Sequence, residues 1–82
     1  MVRQMKVRST VVKEIDVPGL GARIEEARRG SGRPLTIVCA EVGMSTANWY
    51  RIEQEKNESI PLETLRKIEA VLGVNLGVGF DD

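Results

Sequence analysis

A mainly α-helical domain of four to five helices, with added N- and C-terminal β-strands forming a small sheet, is the fold class that this 82-residue sequence predicts. Two observations lead to it. Apolar residues recur at every second position up to Val17 and at helical spacing from Leu20 onward, with the switch at Pro18-Gly19. Glycine or proline then punctuates the helical stretch at Gly30-Ser31-Gly32, Pro34, Gly43, Pro61 and Gly73. The expected organisation is an N-terminal strand or arm over 1–19, a helical domain over 20–73, and a C-terminal strand and tail over 74–82.

Taken in order, Met5, Val7, Val11, Ile15 and Val17 are apolar, and Gln4, Lys6, Arg8, Thr10, Glu14 and Asp16 between them are polar. Period two over this length predicts a half-buried strand, although Val12 and Lys13 break the alternation. The alternative for this segment is a disordered basic arm. A first helix places Leu20, Ile24 and Ala27 on one stripe. The second opens at Pro34, where a missing N–H is harmless in the first helical position, and carries Leu35, Val38, Cys39 and Val42 up to Gly43. Ser45 is a good N-cap for a third helix with Trp49 and Ile52 inward. After Pro61 a fourth helix turns Leu62, Leu65, Ile68 and Leu72 inward. Val74, Leu76, Val78 and Phe80 alternate with Asn75, Gly77 and Gly79, which predicts a short second strand pairing with the first.

Composition narrows the function. A hydrophobic fraction of 41% and a charged fraction of 29% describe a globular chain, not a disordered one. No apolar run approaches membrane-spanning length, so a cytoplasmic location without membrane contact is expected. The chain has one cysteine, Cys39, and no histidine, so neither an internal disulfide nor a His-based metal or catalytic constellation can form. No cofactor, no metal and no enzymatic activity are expected. Net charge is zero, with the acidic excess at the C-terminal end: two basic against five acidic residues over 57–82.

The informative stretch is Val38-Cys39-Ala40-Glu41-Val42-Gly43-Met44-Ser45, followed by Thr46-Ala47-Asn48-Trp49-Tyr50-Arg51-Ile52-Glu53. Two short helices meeting at a sharp angle need a small residue where their backbones approach and a glycine able to take positive φ at the corner. Cys39 and Gly43 meet those needs. With Met44, Trp49 and Ile52 closing the core, the opposite face carries Ser45, Thr46, Asn48 and Arg51, short or basic hydrogen-bonding groups suited to a DNA major groove.

From Leu20 to Val74 the sequence resembles the lambda-repressor-like (phage repressor and Cro type, XRE-family) helix-turn-helix domains. Leu20 to Arg28 is similar to the family's first helix, and Pro61 to Ile68 with Val71-Leu72-Gly73-Val74 to its fourth helix and exit. The resemblance implies that Arg28 pairs with Glu53, the glutamate closing the recognition helix, as part of the scaffold. It departs from the family at Pro34-Leu35, where Thr-Gln is usual, at Gln54-Glu55-Lys56, where a glycine is usual, and at Trp49, which is larger than the customary residue.

The resulting expectation is sequence-specific binding of double-stranded DNA by a homodimeric transcriptional regulator. Thr46, Ala47, Asn48 and Arg51 are its candidate base-reading residues, and Arg33, Ser45, Lys56 and Asn57 its candidate backbone contacts. The alternative is the same fold used as a protein-binding adaptor or antitoxin-like subunit, which zero net charge and the missing Gln favour.

Overall fold

The computed structural model describes residues 4–8, 14–57 and 59–78. Along the chain these form strands β1 (Gln4–Arg8) and β2 (Glu14–Pro18), helices α1 (Leu20–Ser31), α2 (Leu35–Val42) and α3 (Thr46–Glu53), strand β3 (Ser59–Pro61) and helix α4 (Leu62–Leu72). The mainly helical fold with a small sheet is the expected one. The sheet itself is assembled differently.

Where one long strand was expected, the N-terminal segment supplies two. β1 and β2 pair antiparallel, with Met5 opposite Val17, Lys6 opposite Asp16 and Val7 opposite Ile15. This register always sets an odd residue against an odd one. A single odd-numbered apolar series therefore serves both strands, and Met5, Val7 and Val17 all face the core. Parity alone cannot separate such a hairpin from one strand. The irregularity at Val12-Lys13 and the residue Val11 lie outside the described residues, as does Phe80.

Among the described residues, the expected pairing of the N-terminal strand with Val74–Phe80 is not found. β1 instead pairs in parallel with β3, aligning Lys6, Val7 and Arg8 with Ser59, Ile60 and Pro61, so the sheet order is β2-β1-β3. Residues 74–78 form no strand, because side chains take their backbone groups. The Leu76 N–H donates to Glu69 Oε2 at 2.8 Å, Arg23 donates to the Leu76 carbonyl at 3.1 Å, and Arg66 donates to the Val78 carbonyl at 2.8 Å. Gly77 has φ +75°, and its N–H donates to Asn75 Oδ1, which curls the segment rather than extending it. Leu76 and Val78 nonetheless enter the core, so the alternating pattern reported burial correctly and conformation wrongly.

One core joins all these pieces. Trp49, Met5, Leu20, Ile24, Ile60, Leu65, Ile68, Val7 and Val38 are fully buried, so helices and sheet share a single apolar interior. Each such side chain contributes about 1.5–3 kcal/mol by leaving water. Pro34 and Pro61 are N-caps in extended conformation (ψ 136° and 142°), one position ahead of their helices, so Pro34 is not the first helical residue. Its carbonyl accepts from the N–H groups of Ile37 and Val38, so proline still opens α2.

Candidate nucleic-acid interface

The corner between α2 and α3 sets the geometry of the candidate surface. The Cys39 carbonyl accepts from the N–H groups of both Gly43 (2.8 Å) and Met44 (3.0 Å), which ends α2 in a tight turn. Gly43 takes φ +90°, a conformation that strongly favours glycine. Cys39 is buried beside this turn, and desolvation raises its thiol above the ordinary range, keeping it protonated as a small core residue. The chain then extends through Ser45 (ψ 157°), whose Oγ accepts the Asn48 N–H at 3.1 Å and starts α3. That bond is the expected N-cap, worth about 1 kcal/mol.

The inner side of α3 is fastened by a charge-assisted cluster. Arg28 Nε donates to Glu53 Oε2 at 2.6 Å and Nη2 to Oε1 at 3.1 Å, the bidentate pair that the resemblance implied. The Trp49 indole N–H donates to the same Oε2 at 2.5 Å. The Glu53 side chain is only 3% exposed, so all its partners come from protein. Hydrogen bonding to Glu53 raises the Arg28 pKa further, so the guanidinium stays charged. Trp49, unusual for its size, thus adds a third donor to the α1–α3 clasp as well as filling the core.

The outer side of α3 presents Ala47, Tyr50, Arg51 and Gln54, spaced i, i+3, i+4 and i+7, all exposed. Of the candidate base-reading residues, Ala47 and Arg51 lie at the centre of this face, whereas Thr46 and Asn48 are half-buried on its flanks. Asn48 Nδ2 also sits 3.8 Å from the Met44 sulfur. Tyr50 and Gln54 were not among the expected residues. Their signal was in the sequence, since they stand one and two helical turns from Ala47 once Ser45 fixes where α3 begins.

Among the candidate backbone contacts, Ser45 and Lys56 are exposed at opposite ends of α3 and Asn57 is half-buried in the loop after it. Arg33 stands apart. Its guanidinium donates to the Val71 carbonyl at 2.8 Å and pairs with Glu41, bridging α2 to the last turn of α4. Glu55 lies in the stretch where the family usually has glycine, and its φ of +53° is in the left-handed region that favours glycine. Its carboxylate turns inward, within 3.4 Å of the Gly21 N–H in the first turn of α1, rather than out of the loop. Negative charge at a helix N-terminus is favourable, so this placement is electrostatically satisfied.

Composition left the acidic C-terminal excess unplaced. On α4, Glu69 pairs with Arg66 at 2.7 Å and Glu63 with Lys67 at 3.6 Å. These carboxylates are met on their own helix, which packs chiefly against α2. Among the described residues no three metal-ligating side chains converge, no buried side-chain polar atom lacks a partner, and no helix is long and apolar enough to cross a membrane.

A glycine corner, an N-capped second helix clasped from within, and an exposed polar outer face define a helix-turn-helix domain. The family model described as the Cro/C1-type HTH DNA-binding domain matches residues 34–77, more than half of the chain, and the chain belongs to that family. The match begins at the second helix, so α1 and the N-terminal hairpin lie outside it. No curated protein and no solved structure matches the chain.

Proposed function

We propose that the chain is a transcriptional regulator that binds a specific duplex sequence as a homodimer, with α3 in the major groove. The observation that supports this most directly is the division of α3. Its inner face is fixed by Trp49, Ile52 and Glu53, leaving Ala47 and Arg51 outermost with Ser45 and Lys56 at the two ends. Arg51 is the principal base reader, through bidentate bonding to guanine, and Thr46, Ala47 and Asn48 complete the reading surface. Ser45, Lys56 and Asn57 hold the phosphate backbone, and Arg33 joins them by exchanging its Glu41 pair for a phosphate oxygen.

The dimer follows from size. An eight-residue helix is about 12 Å long and faces roughly four base pairs, too few for useful specificity. The described residues extend over 33 × 29 × 20 Å, so two copies fit side by side on half-sites about one DNA turn apart. Selection from a random duplex library at moderate salt, with the size of the bound species measured, tests the proposal. A pseudo-palindromic site bound by two copies is expected, and Arg51→Ala should relax preference at one base pair per half-site without altering the thermal midpoint.

Zero net charge favours a second reading, a protein-binding adaptor of the same fold. Affinity for random duplex that does not fall as salt is raised would count against the first reading and favour the second.

A further inference from the structure

The outer face of α3 carries an unexpected side chain. Tyr50 is 46% exposed, and Ile37 on α2 is the other large hydrophobic residue left this open among those described. A tyrosine, with an apolar ring and a polar tip, is a residue type enriched at interfaces, and this one stands at the middle of a helix that otherwise shows short or basic groups. The ring is not loose: the Arg28 guanidinium lies over it, 6.0 Å from its centroid, at the outer range of a cation–π contact. Arg28 is itself held by both oxygens of Glu53. The scaffold clasp therefore supports one face of the ring and leaves the rest to solvent.

Helix geometry sets what the free part meets. A long side chain on a helix leans toward the N-terminus and covers the turn before its own Cα. For Tyr50 that turn contains Ala47, whose methyl group is exposed on the same face. At i and i+3 the methyl and the ring are neighbours on the helix surface, beside Arg51. Of the groups on the major-groove floor, only the thymine 5-methyl is apolar, and it is read by such contacts.

We propose that Tyr50 is a specificity-determining residue, reading a thymine 5-methyl group with the edge of its ring next to Ala47. This rests on the DNA-binding reading of α3. Arg28 acts as a positioning residue that limits the ring's freedom before DNA arrives, which lowers the ordering cost of the contact.

The experiment uses the duplex selected by the wild-type chain, with each thymine of a half-site replaced in turn by uracil, so that only one methyl group is removed. Wild-type binding should weaken about fourfold at one such position, the worth of one buried methyl group. Tyr50→Ala should bind the thymine and uracil duplexes equally there, whereas Tyr50→Phe should discriminate as the wild type does. Unchanged thermal midpoints would show both variants folded. The proposal is overturned if Tyr50→Phe loses discrimination along with Tyr50→Ala, which assigns the contact to the hydroxyl group. It is equally overturned if no uracil position separates wild type from Tyr50→Ala; selective binding by the wild type would then leave the DNA-binding reading standing. A wild-type chain that selects no sequence overturns both.

Discussion

Glu53 shows how much can hang on one carboxylate. Its two oxygens accept from Arg28 and from the indole of Trp49, and the side chain has almost no contact with water. Removing it strands a guanidinium and an indole N–H together. Glu53→Ala should destabilise the domain by about 3–5 kcal/mol, read from the urea midpoint at constant m-value. The double change Arg28→Met with Glu53→Leu should recover much of that by replacing a buried charge pair with apolar contact. It should still fall short by about 1–3 kcal/mol, because the Trp49 N–H remains without an acceptor. A loss below about 1 kcal/mol for Glu53→Ala would mean that the clasp is open to solvent and contributes as a surface pair does.

Helix α1 depends on a residue with no side chain. Gly21 lies where α1 crosses the end of α3, and a Cβ placed there would stand 2.2 Å from the Glu53 carbonyl oxygen and 2.8 Å from Glu55 Cγ. The carbonyl belongs to the helix end that Arg28 and Trp49 already fix, so it cannot retreat without straining the clasp. Gly21→Ala is thus expected to destabilise by about 1–3 kcal/mol despite alanine's better helix propensity. The same substitution at Gly30, also within α1 but open to solvent, should be neutral or stabilising, since nothing lies within 4 Å of its Cβ position. Thermal midpoints of the two variants moving in the same direction would refute this account of the α1–α3 contact.

At the scale of the whole molecule the N-terminal hairpin is part of the domain, not an appendage. Met5 and Val7 are completely buried and Val17 nearly so, all within the core that contains Trp49 and Leu65. β1 also supplies the partner for β3, which joins the loop after α3 to α4. Deletion of residues 1–18 should therefore abolish the cooperative thermal transition, and with it DNA binding, rather than yield folded helices lacking an arm. A truncated chain that melts cooperatively and keeps the near-ultraviolet signature of Trp49 would show that the helices suffice.

The helical part of the molecule was legible because its determinants are local. Ser45 caps α3, Gly43 makes the corner, and the stripe Leu65, Ile68 and Leu72 faces inward, each set by neighbours within a turn or two of chain. The polar outer face of α3 was legible in part, since Arg51 and Ala47 follow from the same spacing that buries Trp49. Tertiary structure alone decided the rest. The partner of β1 is β3, three residues in a loop with no strand signature of their own, recruited because Ile60 completes the core beside Val7. Residues 74–78 read as a strand, but Glu69 and Arg66 from the preceding helix, and Arg23 from remote α1, take their backbone groups. Alternation in a sequence records which side chains are buried. Which donors and acceptors satisfy the backbone between them is settled only when remote segments meet, because a carboxylate or guanidinium can serve that need as well as a strand.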